Sequence, residues 1–534
     1  MTATLSRPAT DDSLVGAWLH NLIAQLHDTS RHEGISSTAY DTAWIASIPS
    51  AADPRIPEYP QAYQWLLDHQ HKDGSWGGEV QYIHDRILCT LTALAALGSM
   101  RTSAAAELAI EAGTRYLWQK GHLLGNEPTE LVAFELLLPA MVRRAQQADI
   151  KVPPHLDIYE AQRVEKMRLI PAGALYSPRV TVVHSLEFLG EQADLAGLKA
   201  AQGLNGSIGN SPAATACYYI RSRDPQAKRY LDNCLKRNGG AEVPVLHPCE
   251  TYEYLWAAYH LYLAGIPAAE LLTRRHRQTL SAALDNGGVS LAPTFPIPDA
   301  DDTAVALLFL HDVEAEPDPR VLLPFATSEG HFASFQYERH SSLGVSLHVL
   351  HALLRIPGYP DRTRTIVRVL DYLASKQIEG LYWIDKWHVS PYYATAHALS
   401  ILKELPRQQA SRMKPLVERS REWLRHTQNA DGSWGFYGEP TVEETAYGLL
   451  ALAAGAGTPA DSDKISSTLA AKYLLTRLLE HERHSSEVYP FPPLWIDKCL
   501  YTPRLIVQAV VVSALEAYRR LYPNELAKLE ASCK

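Results

Sequence analysis

Apolar positions in this 534-residue chain recur at helical rather than strand spacing almost throughout. Leu88-Cys-Thr-Leu-Thr-Ala-Leu-Ala-Ala-Leu97, Thr303-Ala-Val-Ala-Leu-Leu-Phe-Leu310 and Ala446-Tyr-Gly-Leu-Leu-Ala-Leu-Ala-Ala454 are rich in alanine and leucine and lack the strict alternation of a half-buried strand. The pattern predicts an all-α protein whose helices are separated by short loops marked by Gly, Pro and Asn. The pattern also repeats. Trp65-Leu-Leu-Asp-His-Gln70-His-Lys-Asp73-Gly-Ser-Trp76-Gly returns as Trp423-Leu-Arg-His-Thr-Gln428-Asn-Ala-Asp431-Gly-Ser-Trp434-Gly, with weaker copies at Gln202-Gly-Leu-Asn205-Gly-Ser-Ile208 and Gln377-Ile-Glu-Gly380-Leu-Tyr-Trp383. After each turn a second helix opens near a Thr-Ala pair, at Thr215-Ala216, Thr303-Ala304, Thr395-Ala396 and Thr445-Ala446. Repeated helical hairpins with one small-residue helix each predict inner and outer rings of helices, and copies at both ends predict two α/α barrels. In the turns, the Gln is expected to cap a helix end while the indole packs over the turn.

Composition narrows the classes. With 50 basic against 59 acidic residues and a net charge of −9, the chain lacks the basic excess of a nucleic-acid binder. Six dispersed cysteines without a C-x-x-C pair fit a reducing compartment, so the expected location is the cytoplasm. The N-terminus has no apolar signal region and no long uncharged apolar run follows, so no stable membrane insertion is expected. One figure resists a purely structural reading: 27 Tyr and 11 Trp against 9 Phe. Tyr and Trp add a polar edge and an electron-rich face to apolar bulk.

The segment that carries chemistry is Phe295-Pro-Ile-Pro298-Asp299-Ala-Asp301-Asp302-Thr303-Ala304. Acids at a helix start are ordinary, because Asp and Thr cap helices and carboxylates complement the dipole, and Val442-Glu443-Glu444-Thr445-Ala446 reads as such a copy. Three carboxylates within four residues are harder to explain that way. When partly buried they cannot all ionise cheaply, so one neutral Asp is expected. A neutral Asp can serve as a general acid, and Tyr and Trp faces stabilise a cation while excluding water. Protonating an alkene to a carbocation needs both.

Asp299-Ala-Asp301-Asp302-Thr-Ala resembles the D-x-D-D-T-A signature of class II diterpene cyclases, and the Q-x-x-D-G-S-W turns resemble the QW motifs of the wider terpene cyclase superfamily. Ser37-Thr-Ala-Tyr40-Asp41-Thr-Ala-Trp44 is similar to that family's S-A-Y-D-T-A-W, Val132-Ala-Phe-Glu135-Leu-Leu-Leu-Pro139 to its G-F-E-x-x-x-P, and Val183-His184-Ser-Leu-Glu187 to its L-H-S-L-E. Gly206-Ser-Ile-Gly-Asn-Ser-Pro212-Ala-Ala-Thr215-Ala216 is similar to G-S-x-x-x-S-P-S-S-T-A.

The resemblance implies that Asp301 protonates the terminal alkene of geranylgeranyl diphosphate while Asp299 and Asp302 tune and orient it, and it places His348 where relatives hold the acid's hydrogen-bond partner. It implies Lys166 and Arg168, in Glu165-Lys166-Met-Arg168-Leu-Ile-Pro171, and Lys386, in Trp383-Ile-Asp-Lys386-Trp387, as cations for the diphosphate. Magnesium is expected with the diphosphate; the place of the family's E-D-x-x-D reads Asn126-Glu127-Pro-Thr-Glu130, which makes Glu127 and Glu130 the candidate ligands. His184 matches one half of the family's terminating base pair, while Val245 stands where its Asn is expected, which leaves the base and the product skeleton open. Trp383, Trp387, Tyr392 and Phe335 are the candidate aromatic walls. The ionising D-D-x-x-D motif does not occur, so the diphosphate is expected to be retained.

The resulting expectation is a βγ architecture in which residues 51–264 form a γ barrel inserted into a β barrel made from 1–50 and 265–534. Its activity is isomerisation of geranylgeranyl diphosphate to a bicyclic copalyl- or halimadienyl-type diphosphate. The expected partners are the prenyl diphosphate itself and a downstream class I terpene synthase or phosphatase, with the chain a monomer or homodimer. Competing readings are a squalene-type triterpene cyclase and a non-catalytic lipid-binding scaffold whose acids only cap a helix.

Overall fold

The computed structural model describes residues 13–28, 34–100, 103–336, 338, 341–454, 461–484 and 491–533. Met1–Asp12, on which the reading of the N-terminus rests, lies outside them. The architecture is helical, 64% of it helix, and the two described strands, Trp495–Ile496 and Leu500–Tyr501, form one short antiparallel hairpin.

Helix packing closes two rings. In one, Glu250–Leu263 packs on Ala300–Asp312, which packs on Leu343–Arg355, then Pro391–Leu402, Val442–Ala453 and Arg504–Leu521, which returns to Glu250–Leu263. In the other, Ala39–Ala46, Ile83–Met100, Phe134–Gln147, the 3₁₀ segment Thr181–Gln192 and Pro212–Ser222 close in the same way. The inner helices are buried along nearly their whole length. Amphipathic helices such as Pro225–Arg237 and Arg407–Thr427 lie outside them, their few buried residues turned inward.

The rings correct the expected domain edges. Ala39–Ala46, assigned from sequence to the β barrel, packs among the γ helices, whereas Glu250–Leu263, assigned to γ, closes the β ring. From the 1–50 segment, it is Leu14–His27 that packs on the β barrel. Each is the first helix after the chain passes from one barrel to the other, where sequence distance says nothing about which neighbour is met.

One local device recurs at the inner helices, at the fourth or fifth residue in five of them and at the eighth in Ile83–Met100. A hydroxyl there accepts a hydrogen bond from the backbone of the preceding turn: Trp76 N to Thr90, Ile208 N to Thr215, Val289 N to Thr303, Phe332 N to Ser346, Trp383 N to Thr395 and Trp434 N to Thr445, all within 2.9–3.1 Å. The repeated Thr therefore pins turn to helix, besides being small. The Gln of each strong turn bridges two carbonyls, Gln70 to Gly74 and Ala109 and Gln428 to Gly432 and Ser466. The indoles of Trp76, Trp383 and Trp434 donate to Leu66, Leu373 and Leu424 on the preceding helix. Gly432 has φ +93°, and a Cβ there would meet the Leu469 backbone at 2.4 Å, so the turn requires glycine.

Candidate active site

The Ala300–Asp312 helix starts after two prolines that keep the approach extended. Asp299 is its N-cap, accepting from the Asp302 amide at 2.7 Å, which gives this carboxyl a structural duty first. Asp302 is buried; its Oδ1 accepts from the Trp256 indole at 2.9 Å and its Oδ2 has no partner. Burial, reinforced by the Asp302 charge for Asp299 and by the Asp301 charge for Asp302, raises both carboxyls far above the ordinary range. Asp301 differs from both in reaching open space, with 13% of its side chain exposed while the flanking acids are buried.

His348, on the Leu343–Arg355 helix, brings Nδ1 to 2.6 Å from Asp301 Oδ1, so sequence reasoning placed this pair correctly. Around it stand aromatics that the sequence reading did not select. Trp256 lies edge-on to His348 at 4.8 Å between centroids and Tyr259 at 5.2 Å. Trp495 packs against Trp256 at 6.3 Å and against Tyr393 at 5.3 Å. A usable signal was the Tyr252, Trp256, Tyr259 spacing, which puts three aromatic rings on one helical face.

The selected aromatics divide. Trp387 donates to Ser334 at 3.1 Å and meets Phe335 edge-on at 6.3 Å, and the Ala300 amide at the start of the acid helix bonds the Ser334 carbonyl at 2.8 Å. These two therefore sit beside the acid. Trp383 and Tyr392 do not serve as walls: Trp383 is fully buried with its indole committed to Leu373, and Tyr392 stacks on Trp423 at 4.9 Å.

Lys386 lies over the Trp387 ring at 4.8 Å and pairs with Glu338, next to the acid. Lys166 pairs with Glu135 at 2.8 Å, and Arg168, 75% exposed, faces Glu165 at 3.8 Å on a helix with no buried residue. Arg168 is the most exposed of the three cations. Glu127 gives one oxygen to the Ile83 amide at 2.9 Å, and burial raises its pKa; Glu130 is exposed, beside Tyr159. Magnesium with a diphosphate takes one or two protein carboxylates and fills its octahedron with phosphate and water, a demand that these two residues fit. Among the described residues, Asp85, Cys89 and Cys499 form the group of three close metal-ligating types. It is fully buried, with Asp85 already accepting from Gly78 and Leu500.

His184 is held between two polar partners. Nδ1 faces the Gly209 carbonyl at 2.8 Å and Nε2 faces Asp497 at 3.2 Å. Both ring nitrogens are thus engaged within the protein, one by a backbone carbonyl and one by a carboxylate. Beside it the fully buried Lys498 reaches Glu187 at 2.8 Å, Ser211 at 2.6 Å, the His184 carbonyl at 3.2 Å and Asp41 at 3.8 Å. Burial opposes the Lys498 charge, but Glu187, Asp41 and Asp497 outweigh it and hold its pKa above the usual value. The S-T-A-Y-D, H-S-L-E and W-I-D-K stretches thus meet in one ionic clamp.

Comparison with known proteins agrees with this geometry. Residues 332–472 match the family model described as squalene-hopene cyclase C-terminal domain. The chain is 31% identical to an ent-copalyl diphosphate synthase of Streptomyces sp. (strain KO-3988) over 92% of its own length and 94% of the relative's. It is 29% identical to the type B diterpene cyclase of Mycobacterium tuberculosis, over 90% and 95%. The solved ent-copalyl diphosphate synthase of Streptomyces platensis superposes with a TM-score of 0.73 at 25% identity, covering 94% of this chain and 98% of that one. No described helix is long and apolar enough to cross a membrane.

Proposed function

The chain belongs to the class II diterpene cyclases, and we propose that it cyclises geranylgeranyl diphosphate to a bicyclic copalyl- or halimadienyl-type diphosphate. The observation that carries this reading is Asp301: the one acid of the cluster with a face on open space, bonded through its other side to His348.

In this reading the Asp301 O–H bond breaks as a C–H bond forms at the terminal alkene. The π electrons make that bond, and the neighbouring carbon is left as a tertiary cation. Internal alkenes close on the cation in turn, and loss of a proton ends the reaction with the diphosphate intact. Trp256 and Trp495 offer π-faces to the migrating charge, with Trp387 and Phe335 at the approach and the fully buried Tyr259 and Tyr393 packed behind them. Lys386 and Lys166 would exchange their Glu338 and Glu135 partners for diphosphate oxygens. Magnesium, held by Glu130 with Glu127, would neutralise phosphate charge.

Incubation with geranylgeranyl diphosphate, dephosphorylation and mass spectrometry test the proposal: a bicyclic alcohol is expected, and linear geranylgeraniol alone from folded protein would overturn it. Chelation of divalent ions should lower turnover of the intact substrate, and unchanged turnover in excess chelator would dismiss magnesium. We further propose that the enzyme acts in the cytoplasm as a monomer or homodimer and hands its product to a class I synthase or a phosphatase, since an allylic diphosphate is retained for ionisation or hydrolysis.

A further inference from the structure

The acid's histidine is the first ring of a longer chain that the sequence did not reveal. His348 Nε2 lies 2.7 Å from His397 Nδ1, His397 Nε2 lies 3.2 Å from His260 Nε2, and His260 Nδ1 lies 2.8 Å from the Trp256 carbonyl oxygen. The rings come from Leu343–Arg355, Pro391–Leu402 and Glu250–Leu263, neighbours in or across the β ring. All three are buried.

The far end fixes the direction of every bond. A backbone carbonyl only accepts, so His260 must carry its proton on Nδ1. Burial holds His260 down to about 3 and His397 well below the usual range, so both rings are neutral. A neutral His260 with Nδ1 protonated has a bare Nε2, toward which the Tyr447 hydroxyl also points at 3.4 Å. His397 must then donate from Nε2, because two bare nitrogens at 3.2 Å would repel. Its own Nδ1 is therefore bare and accepts from His348 Nε2. With Nε2–H committed, any further proton on His348 resides on Nδ1, the atom facing Asp301.

We propose that His397 and His260 are positioning residues for the acid: a polarised chain that lets His348 hold an extra proton on Nδ1 and donate it to Asp301 Oδ1. The proposal rests on Asp301 being the acid. Asp301 then keeps its own proton on the oxygen toward open space. When that O–H bond breaks and the proton forms a C–H bond with the alkene, the carboxylate left behind already faces a donor. No proton is consumed over the cycle, because the product cation returns one.

Two measurements test this. In wild-type protein labelled with ¹⁵N-histidine, nitrogen shifts distinguish protonated from bare ring atoms. The expected pattern is His260 protonated at Nδ1 and His397 at Nε2; His397 protonated at Nδ1 would overturn the chain whatever the activity. In kinetics, His397→Leu should lower kcat about 100-fold with KM within about threefold. His397→Asn keeps an acceptor oxygen near the Nδ1 position and should recover to within about tenfold of wild type. A His397→Leu protein with wild-type kcat would overturn the positioning role, as would equal loss in the Leu and Asn variants. Wild-type protein unable to cyclise geranylgeranyl diphosphate would instead sink the acid assignment, and this inference with it.

Discussion

Two inner helices of the same ring begin almost alike, and one of them carries the proposed acid. Asp299, Asp301, Asp302 and Thr303 open Ala300–Asp312; Thr441, Glu443, Glu444 and Thr445 open Val442–Ala453. In both, the cap side chain accepts from the amide three residues on, at 2.7 and 3.0 Å. In both, the Thr hydroxyl pins the preceding turn. Each has a carboxylate bonded to an indole, Asp302 to Trp256 and Glu443 to Trp495, and a carboxylate bonded to a histidine, Asp301 to His348 and Glu443 to His388. Burial raises Glu444 as it raises Asp302. A raised carboxyl pKa therefore does not distinguish the two. Reach does: the longer glutamates fold back, with Glu444 held by Ser390, Phe436 and Thr441 and both acids sealed from solvent, while the shorter Asp301 keeps a face on open space.

The comparison breaks first at the acid itself. Asp301→Asn should lower turnover about 10³-fold or more with the helical circular dichroism unchanged, whereas Glu443→Gln should stay within about threefold of wild type in the same product assay. Comparable losses would mean that both helices carry chemistry. The indoles give a smaller contrast. Trp256→Phe leaves both Asp302 oxygens unpaired and should cost roughly tenfold in kcat, an effect on the order of 1–2 kcal/mol, while Trp495→Phe leaves Glu443 its His388 partner and keeps an aromatic face, and should lower kcat less than the Trp256 change does.

At the Thr pins the two helices should agree. Thr303→Val and Thr445→Val each leave a buried turn amide without its acceptor, so each should destabilise by about 1–3 kcal/mol in urea unfolding; a large difference between them would show that the starts are not equivalent. The smallest expected effect is in pH. Asp302 and Asp299 have raised pKa values when folded, so the native state binds more protons than the unfolded chain between the ordinary carboxyl range and neutrality. Their contribution to stability is full below about pH 4 and is lost as pH rises toward neutrality. Asp302→Asn should therefore flatten the slope of melting temperature against pH in that window, and a steeper slope would contradict the assignment.

Much of this was legible in the chain. Helical periodicity and the repeated turn predicted two barrels, because a hairpin repeated in sequence repeats its packing. The Asp301–His348 pair was legible because each lies in a patterned helix start. Trp383 was misread because an indole in a QW turn is spent on its own preceding helix, and Tyr392 because its Trp423 partner lies on an outer helix. The histidine chain left no local trace: His260, His348 and His397 come from three separate helices, and only ring closure brings them together. The domain edges were misplaced for the same reason, since Ala39–Ala46 and Glu250–Leu263 are assigned by their neighbours rather than by their own sequence.

The clamp around Lys498 has a bearing on how the chain is made. Tyr40 and Asp41 near the start, His184 and Glu187 in the middle and Asp497 and Lys498 near the end all converge there. During synthesis the early carboxylates wait for a cation that leaves the ribosome hundreds of residues later, and the β ring itself closes only when Arg504–Leu521 meets Glu250–Leu263. Such distant pairings are slow to find and expose apolar faces meanwhile. The last tenth of the chain thus acts as the fastener of both barrels, and a nascent protein halted before Lys498 would hold buried acids that nothing yet neutralises.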